Sequence, residues 1–180
     1  KKILMFEPQD RIFNYLKKKY SENKNLFLFN TALSNKNESA KFNLNRHNLT
    51  SSLSNLDQNN SYLKLKAKLF GTTSQGMIVD TKTIQTKTLF SILEKENLEA
   101  IDLLKIDTEG HELQVLQGMR EKINMVKYIL IEFHNDEIYV SYDPKNLHKF
   151  LISNNFNLIK RFKFPFTTWE DGLYVNDNFN

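Results

Sequence analysis

Leu103-Leu104-Lys105-Ile106-Asp107-Thr108-Glu109-Gly110-His111-Glu112-Leu113-Gln114-Val115-Leu116 is the stretch on which the reading of this chain turns. The run from Ile101 to Ile106 is short and, Asp102 and Lys105 apart, aliphatic, as a strand buried on both faces of a parallel sheet should be. A polar turn follows. Beyond Gly110 the apolar residues Leu113, Leu116 and Met119 recur every third position, which predicts a helix. Lys105 interrupts the apolar run, and an ammonium in a buried strand is costly unless it is paired. Asp107 stands two residues on, so its side chain leaves the strand on the same side. Open α/β sheets bind ligands in the crevice beyond the carboxyl ends of their strands. Asp107 and Glu109 stand at such an end, and the chemistry is expected there.

The elements on either side agree with an α/β class. Lys2 to Phe6 reads as a strand stopped by Glu7-Pro8, Asp10 to Tyr20 as a helix, and Leu26 to Phe29 as a second strand, which together make a βαβ unit. Lys41 to Leu44 reads as a short strand and residues 50–53 as a turn or lid. Tyr62 to Phe70 alternates Leu63, Leu65, Ala67 and Leu69 with Lys64, Lys66 and Lys68, which predicts a strand with one wet face. Met77 to Ile84 is a further strand and Thr86 to Glu96 a helix. Lys127 to Phe133 is another buried strand, and Pro144 to Asn154 a helix. Phe156 to Phe162 and Gly172 to Val175 are β-rich segments able to meet antiparallel at the sheet edge.

Composition excludes several classes. The 180 residues suit a single domain, and the net charge of +4 is mild. The basic residues fall in short clusters separated by apolar positions, not in the continuous stripe that nucleic-acid binding wants. The absence of cysteine rules out disulfides and thiolate metal sites. No apolar run approaches the ~20 residues of a membrane span, and Lys1 to Pro8 does not read as a signal peptide, so a cytoplasmic location is expected. The sequence does not speak to oligomeric state. Its five glycines include no G-x-G-x-x-G loop.

Three stretches carry a resemblance: Met5-Phe6-Glu7-Pro8, Thr31-Ala32-Leu33-Ser34, and above all Asp102-Leu103-Leu104-Lys105-Ile106-Asp107-Thr108-Glu109-Gly110-His111-Glu112-Leu113. In this order and spacing they resemble the FkbM family of S-adenosylmethionine-dependent methyltransferases. The resemblance implies a Rossmann-like class I methyltransferase sheet, mostly parallel, with an antiparallel C-terminal hairpin. The implied reaction is methyl transfer from S-adenosylmethionine to a hydroxyl, often on a sugar or secondary metabolite. Glu7 falls where the family holds the cofactor ribose, Ala32, Leu33 and Ser34 where it lines the adenine pocket, and Asp107 and Glu109 in its signature turn. Phe90 stands where the family often has an aspartate. The family's first strand and glycine-rich loop precede the ribose acid, and only six residues precede Glu7 here. The expectation is therefore a single domain over 1–180, incomplete at its N-terminus. The first strand would lie between the Lys2–Phe6 and Ile101–Ile106 strands.

Among site candidates, Asp107 suits a base or substrate orienter, set against simple pairing with Lys105 or capping of the next helix. Asp107, with Ala32, Leu33, Ser34 and Glu7, belongs to the implied cofactor site. Glu109 suits a catalytic role, although a carboxylate at a helix start is favoured by the dipole in any case. Glu132 and His134 share a face, and His134 is a third catalytic candidate because imidazole exchanges a proton near neutral pH. His111 needs no more than a hydrogen bond, and His47 and His148 have no context. The carboxylates at 107, 109 and 132 with His134 are types able to ligate a metal, yet no spacing demands one and no metal ligand is assigned. Trp169, Phe164 and Phe166 suit an acceptor pocket or the C-terminal core. The alternative to an enzyme is a non-catalytic α/β binding or partner domain on the same scaffold.

Overall fold

The computed structural model describes residues 1–46, 50–163, 165 and 167–179, so His47, Phe164 and Phe166 lie outside the described residues. The fold is a mixed α/β arrangement, with three sheets among the described residues. Strand β1 (Ile3–Phe6), helix α1 (Asp10–Lys19) and strand β2 (Leu26–Phe29) form the expected βαβ unit, with β1 and β2 parallel. Asp10 in the first turn of α1 and Lys17, Lys18 and Lys19 in the last both suit the helix dipole. The apolar face of α1 is only partly covered, for none of its residues is fully buried. Strand β3 (Ala32–Leu33) is two residues long. Strands β4 (Ser39–Asn45) and β5 (Ile78–Lys87) make a long antiparallel ribbon, and β3 joins β5 in parallel.

Residues 62–70 overturn the strand expectation. Ser61–Leu69 is a helix, α2. The Leu/Lys alternation imitates period two, but the buried pair is Leu63 and Ala67, four apart, while Leu65 and Leu69 are exposed. The Asn60 side chain caps the helix by accepting from the Leu63 amide, and the stretch is rich in strong helix formers. Helix α3 (Leu89–Glu96) starts later than expected because Thr86 belongs to β5 and Thr88 is the cap.

The remaining elements build the main core. They are β6 (Ile101–Ile106), α4 (Glu112–Gln117), β7 (Val126–His134), α5 (Pro144–Ser153), β8 (Phe156–Lys163) and β9 (Trp169–Asn176). The sheet order is β6-β7-β9-β8, with β6 parallel to β7 and β9 antiparallel to both neighbours. The C-terminal hairpin is present, and its second strand is inserted antiparallel inside the sheet. Counting all pairs among the described residues, three of six are antiparallel, so the fold is mixed rather than mostly parallel. Leu116, Ile129, Ile131, Leu147, Leu151 and Tyr174 are buried together at its centre.

β6 is not buried on both faces, contrary to its composition. Asp102, Leu103 and Lys105 are exposed, Leu103 to 54%. Among the described residues β6 pairs only with β7, and β1 only with β2. The free flanks of β1 and β6 face a common cleft of about 930 Å³, lined by Ile3 to Phe6 from one strand and Leu103 to Ile106 from the other.

Candidate functional site

The site begins where β6 ends. Glu109 and Gly110 both take the left-handed region, at φ +57° and +87°. That conformation is strained for Glu109 and natural for glycine. Gly110 is required twice over, since a Cβ there would lie 2.5 Å from Cγ of Tyr139. The turn is held from inside by Glu112, whose buried Oε1 accepts from the Thr108 amide at 3.0 Å, the Thr108 hydroxyl at 3.1 Å and the Gly110 amide at 3.1 Å. From outside, the Ser52 hydroxyl donates to the carbonyls of Thr108 and Glu109, and the Ser54 hydroxyl to that of Gly110. Residues 50–53, expected as a turn or lid, thus contribute to the brace. Burial raises the Glu112 carboxyl, against the pull of His134 and of the turn's own donors.

This rigid turn aims Glu109 at the end of β7. Glu109 Oε2 accepts from the Tyr139 hydroxyl and lies 3.9 Å from His134 Nε2, which in turn lies 3.1 Å from Glu132 Oε2. His134 is only 5% exposed, its amide donates to the Tyr142 hydroxyl, and its ring meets those of Tyr139 and Tyr142 edge-on. Neither Nε2 nor Glu132 Oε2 has the geometry of a hydrogen bond, so their attraction is that of an off-axis ion pair.

The charges set one another's protonation. Burial raises Glu109 to about 7, although the Tyr139 hydroxyl and the His134 charge draw it down. Burial lowers His134, but Glu132, Glu112 and Glu109 together outweigh it and lift the imidazole to about 9. Burial raises Glu132, with His134 opposing and the neighbouring Asp107 carboxylate adding to the rise. The Tyr139 and Tyr142 hydroxyls are pushed well up by burial and by these acids, so both stay protonated.

The other candidates divide. Asp107 makes the expected pair with Lys105 at 2.6 Å, and both side chains are about half exposed on the cleft wall. Glu7 also lines the cleft; its Oε1 accepts from the Gln9 amide at 2.7 Å, and burial raises its carboxyl. Ala32 and Leu33 line the cleft, as does Trp169. The buried Ser34 hydroxyl instead meets His111 Nε2 at 3.0 Å, and burial lowers His111 to about 4. His148 Nδ1 meets the Tyr174 hydroxyl at 2.8 Å, against the main core. Phe90 lies under the guanidinium of Arg120. Sequence reasoning missed Tyr139, Tyr142 and the bracing role of Glu112. Glu112 was within reach, as an acid just inside a helix start after a glycine turn; the tyrosines sit in a loop without periodicity.

The fold is shared with a solved methyltransferase. The crystal structure of methyltransferase FkbM from Methylobacillus flagellatus KT superposes on 97% of this chain at a TM-score of 0.58 and 15% identity, a likeness that speaks for the fold. This chain spans 36% of that structure's chain. The chain belongs to the methyltransferase FkbM family, whose domain description, "Methyltransferase FkbM domain", it matches over residues 1–158. A 69-residue segment is 33% identical to the hexuronic acid methyltransferase AglP of Haloferax volcanii, covering 38% of this chain and 27% of that protein. No helix among the described residues is long and apolar enough to cross a membrane.

Proposed function

We propose that residues 1–180 are part of an S-adenosylmethionine-dependent O-methyltransferase domain that acts on a hydroxyl of a sugar or secondary metabolite. The observation that carries the proposal is the convergence of Glu109, Glu132 and His134 on the wall of the cleft that also holds Glu7. The adenosine half of the cofactor fits the residues present. Glu7 presents its carboxylate on the cleft wall, where it can accept from ribose hydroxyls, and Ala32 with Leu33 offers an apolar wall for adenine. The methionine half finds no glycine-rich loop among the described residues. The open flanks of β1 and β6 support a further strand between them, supplied from outside residues 1–180, that would carry such a loop. When bound, the cofactor supplies the methyl group.

The chain's own residues manage the acceptor. Transfer makes an O–CH3 bond at the expense of the sulfonium S–CH3 bond, leaving the donor as a thioether, and the proton of the acceptor's O–H needs a destination. Glu109, raised to about 7 and fixed by Tyr139, is suited to take it, while His134 steadies the negative charge and Asp107 orients the hydroxyl. The relative named for hexuronic acid supports a sugar acceptor. A hexuronic acid also offers a carboxylate oxygen, which needs no base.

The test is transfer of labelled methyl to candidate sugars by a chain carrying the coding sequence upstream of Lys1. Glu109→Gln should lower kcat about 100-fold on a hydroxyl acceptor while leaving KM near the wild-type value. An unchanged kcat would remove Glu109 as base and favour a carboxylate acceptor. No transfer to any acceptor, with no cofactor bound, would favour the non-catalytic binding domain.

A further inference from the structure

We infer that Glu109, Glu132 and His134 form a binding site for a divalent first-row cation such as Mn2+ or Zn2+. Each side chain offers one ligand atom, and the three atoms lie within 4.8 Å of one another, with separations of 3.1 and 3.9 Å from His134 Nε2 to Glu132 and Glu109. Ligands that share a cation with bonds of roughly 2.0–2.2 Å stand about 3–4 Å apart, so little movement is needed.

A cluster of acids alone would not carry this inference. The deciding observation is that His134 is 95% buried yet leaves Nε2 without a hydrogen bond, and that the buried Glu132 Oε2 facing it, although ion-paired with it, has no hydrogen bond either. Buried polar atoms are almost always satisfied, and each exception asks for an explanation. Two such atoms 3.1 Å apart and off-axis to one another are placed as ligands of a third centre rather than as donor and acceptor. The chemistry of the donors fits. Two carboxylates balance a dication, and imidazole with carboxylate, without thiolate, suits Mn2+, Fe2+ or Zn2+ better than a soft ion. The supports are in place as well: Tyr139 donates to Glu109, and the Tyr139 and Tyr142 rings hold the His134 imidazole edge-on. Three protein ligands leave coordination positions open toward the cleft.

The cation's role, though not its binding, rests on the methyl-transfer reading. An acceptor hydroxyl bound to the cation would lose its proton more readily. Glu109 would then serve as a ligand, and the proton would pass to Asp107, whose carboxylate neighbours Glu132 on the same wall.

The test uses Mn2+ alone, titrated into residues 1–180 and followed by electron paramagnetic resonance, with no cofactor or acceptor present. A single saturable site is expected, with pulsed spectra showing a nitrogen nucleus coupled to the bound ion. Glu132→Gln and His134→Ala should each weaken binding at least about tenfold, and the exposed control Glu121→Gln should not. Glu132→Gln keeps the volume of the native side chain, so it stands as the test if His134→Ala fails to fold. Wild-type protein that binds Mn2+ no better than Glu132→Gln, or bound Mn2+ without nitrogen coupling, would overturn the site. Failure of the methyl-transfer reading would leave this titration unchanged.

Discussion

β6 and β7 are neighbours in one sheet, parallel, adjacent in register and similarly aliphatic, yet their fates differ. β7 is paired on both sides and closes the main core with Ile129 and Ile131. β6 is paired on one side, and its Leu103 is more than half exposed. A strand of this composition normally lies inside a parallel sheet that is covered on both faces. The contrast teaches that the site is built asymmetrically. His134 and Glu132 at the end of β7 are buried in the cleft wall, while Asp107 at the end of β6 stands half exposed on it. An unpaired flank is also a template for unwanted pairing, so residues 1–180 alone should associate more readily than a chain in which the flank is filled.

Substitutions can break or sharpen that contrast. Ile131→Ala in β7 removes a side chain with no exposed surface and should cost about 3 kcal/mol in urea unfolding. Gly110→Ala, at the turn joining the strand ends, meets both the positive φ and the Tyr139 ring, and about 2–3 kcal/mol should be lost. A smaller effect tests the turn's electrostatics. His111 is held near 4, below its ordinary 6.5, so the unfolded chain binds the extra proton between those values. Its contribution is whole above about pH 6.5 and is lost as pH falls toward about 4. The full shift would be worth about 3 kcal/mol, which the partial exposure of His111 reduces to about 2 kcal/mol. Glu109, raised to about 7, acts with the opposite sign, losing its contribution as pH rises from about 4.5 to about 7. Comparing unfolding of wild type and His111→Gln across this range isolates the histidine. An equal slope in both would remove it from the account. Leu103→Ala in β6 should cost less than about 1 kcal/mol, and Asp107→Asn, which breaks a half-exposed ion pair, less still. A Leu103→Ala loss as large as that of Ile131→Ala would mean that β6 is covered after all.

How much of this was legible follows the same contrast. The strand, turn and helix at 101–117 were readable because apolar runs, glycine and a three-residue repeat are local signals. The Lys105–Asp107 pair followed from their spacing on one strand face. Composition gave no sign that β6 is exposed, since it reports what a strand is suited to and not whether both neighbours are there. The open flank was expected only from the resemblance, which places a further strand between β1 and β6. α2 was missed because alternating Leu and Lys fit both periods, and the deciding cap, Asn60, lies outside the alternation. Tyr139 and Tyr142 reach the site from a loop, and only tertiary structure brings them beside His134.

The most direct test of the central claim, that the cleft between β1 and β6 awaits a strand and with it the cradle for the cofactor's methionine end, is calorimetric titration of S-adenosylmethionine. It is run on residues 1–180 and on a chain carrying the upstream coding sequence. The account predicts micromolar affinity for the longer chain and at least about a hundredfold weaker binding for residues 1–180, a difference of about 2.7 kcal/mol. Equal micromolar affinity in the two would contradict it.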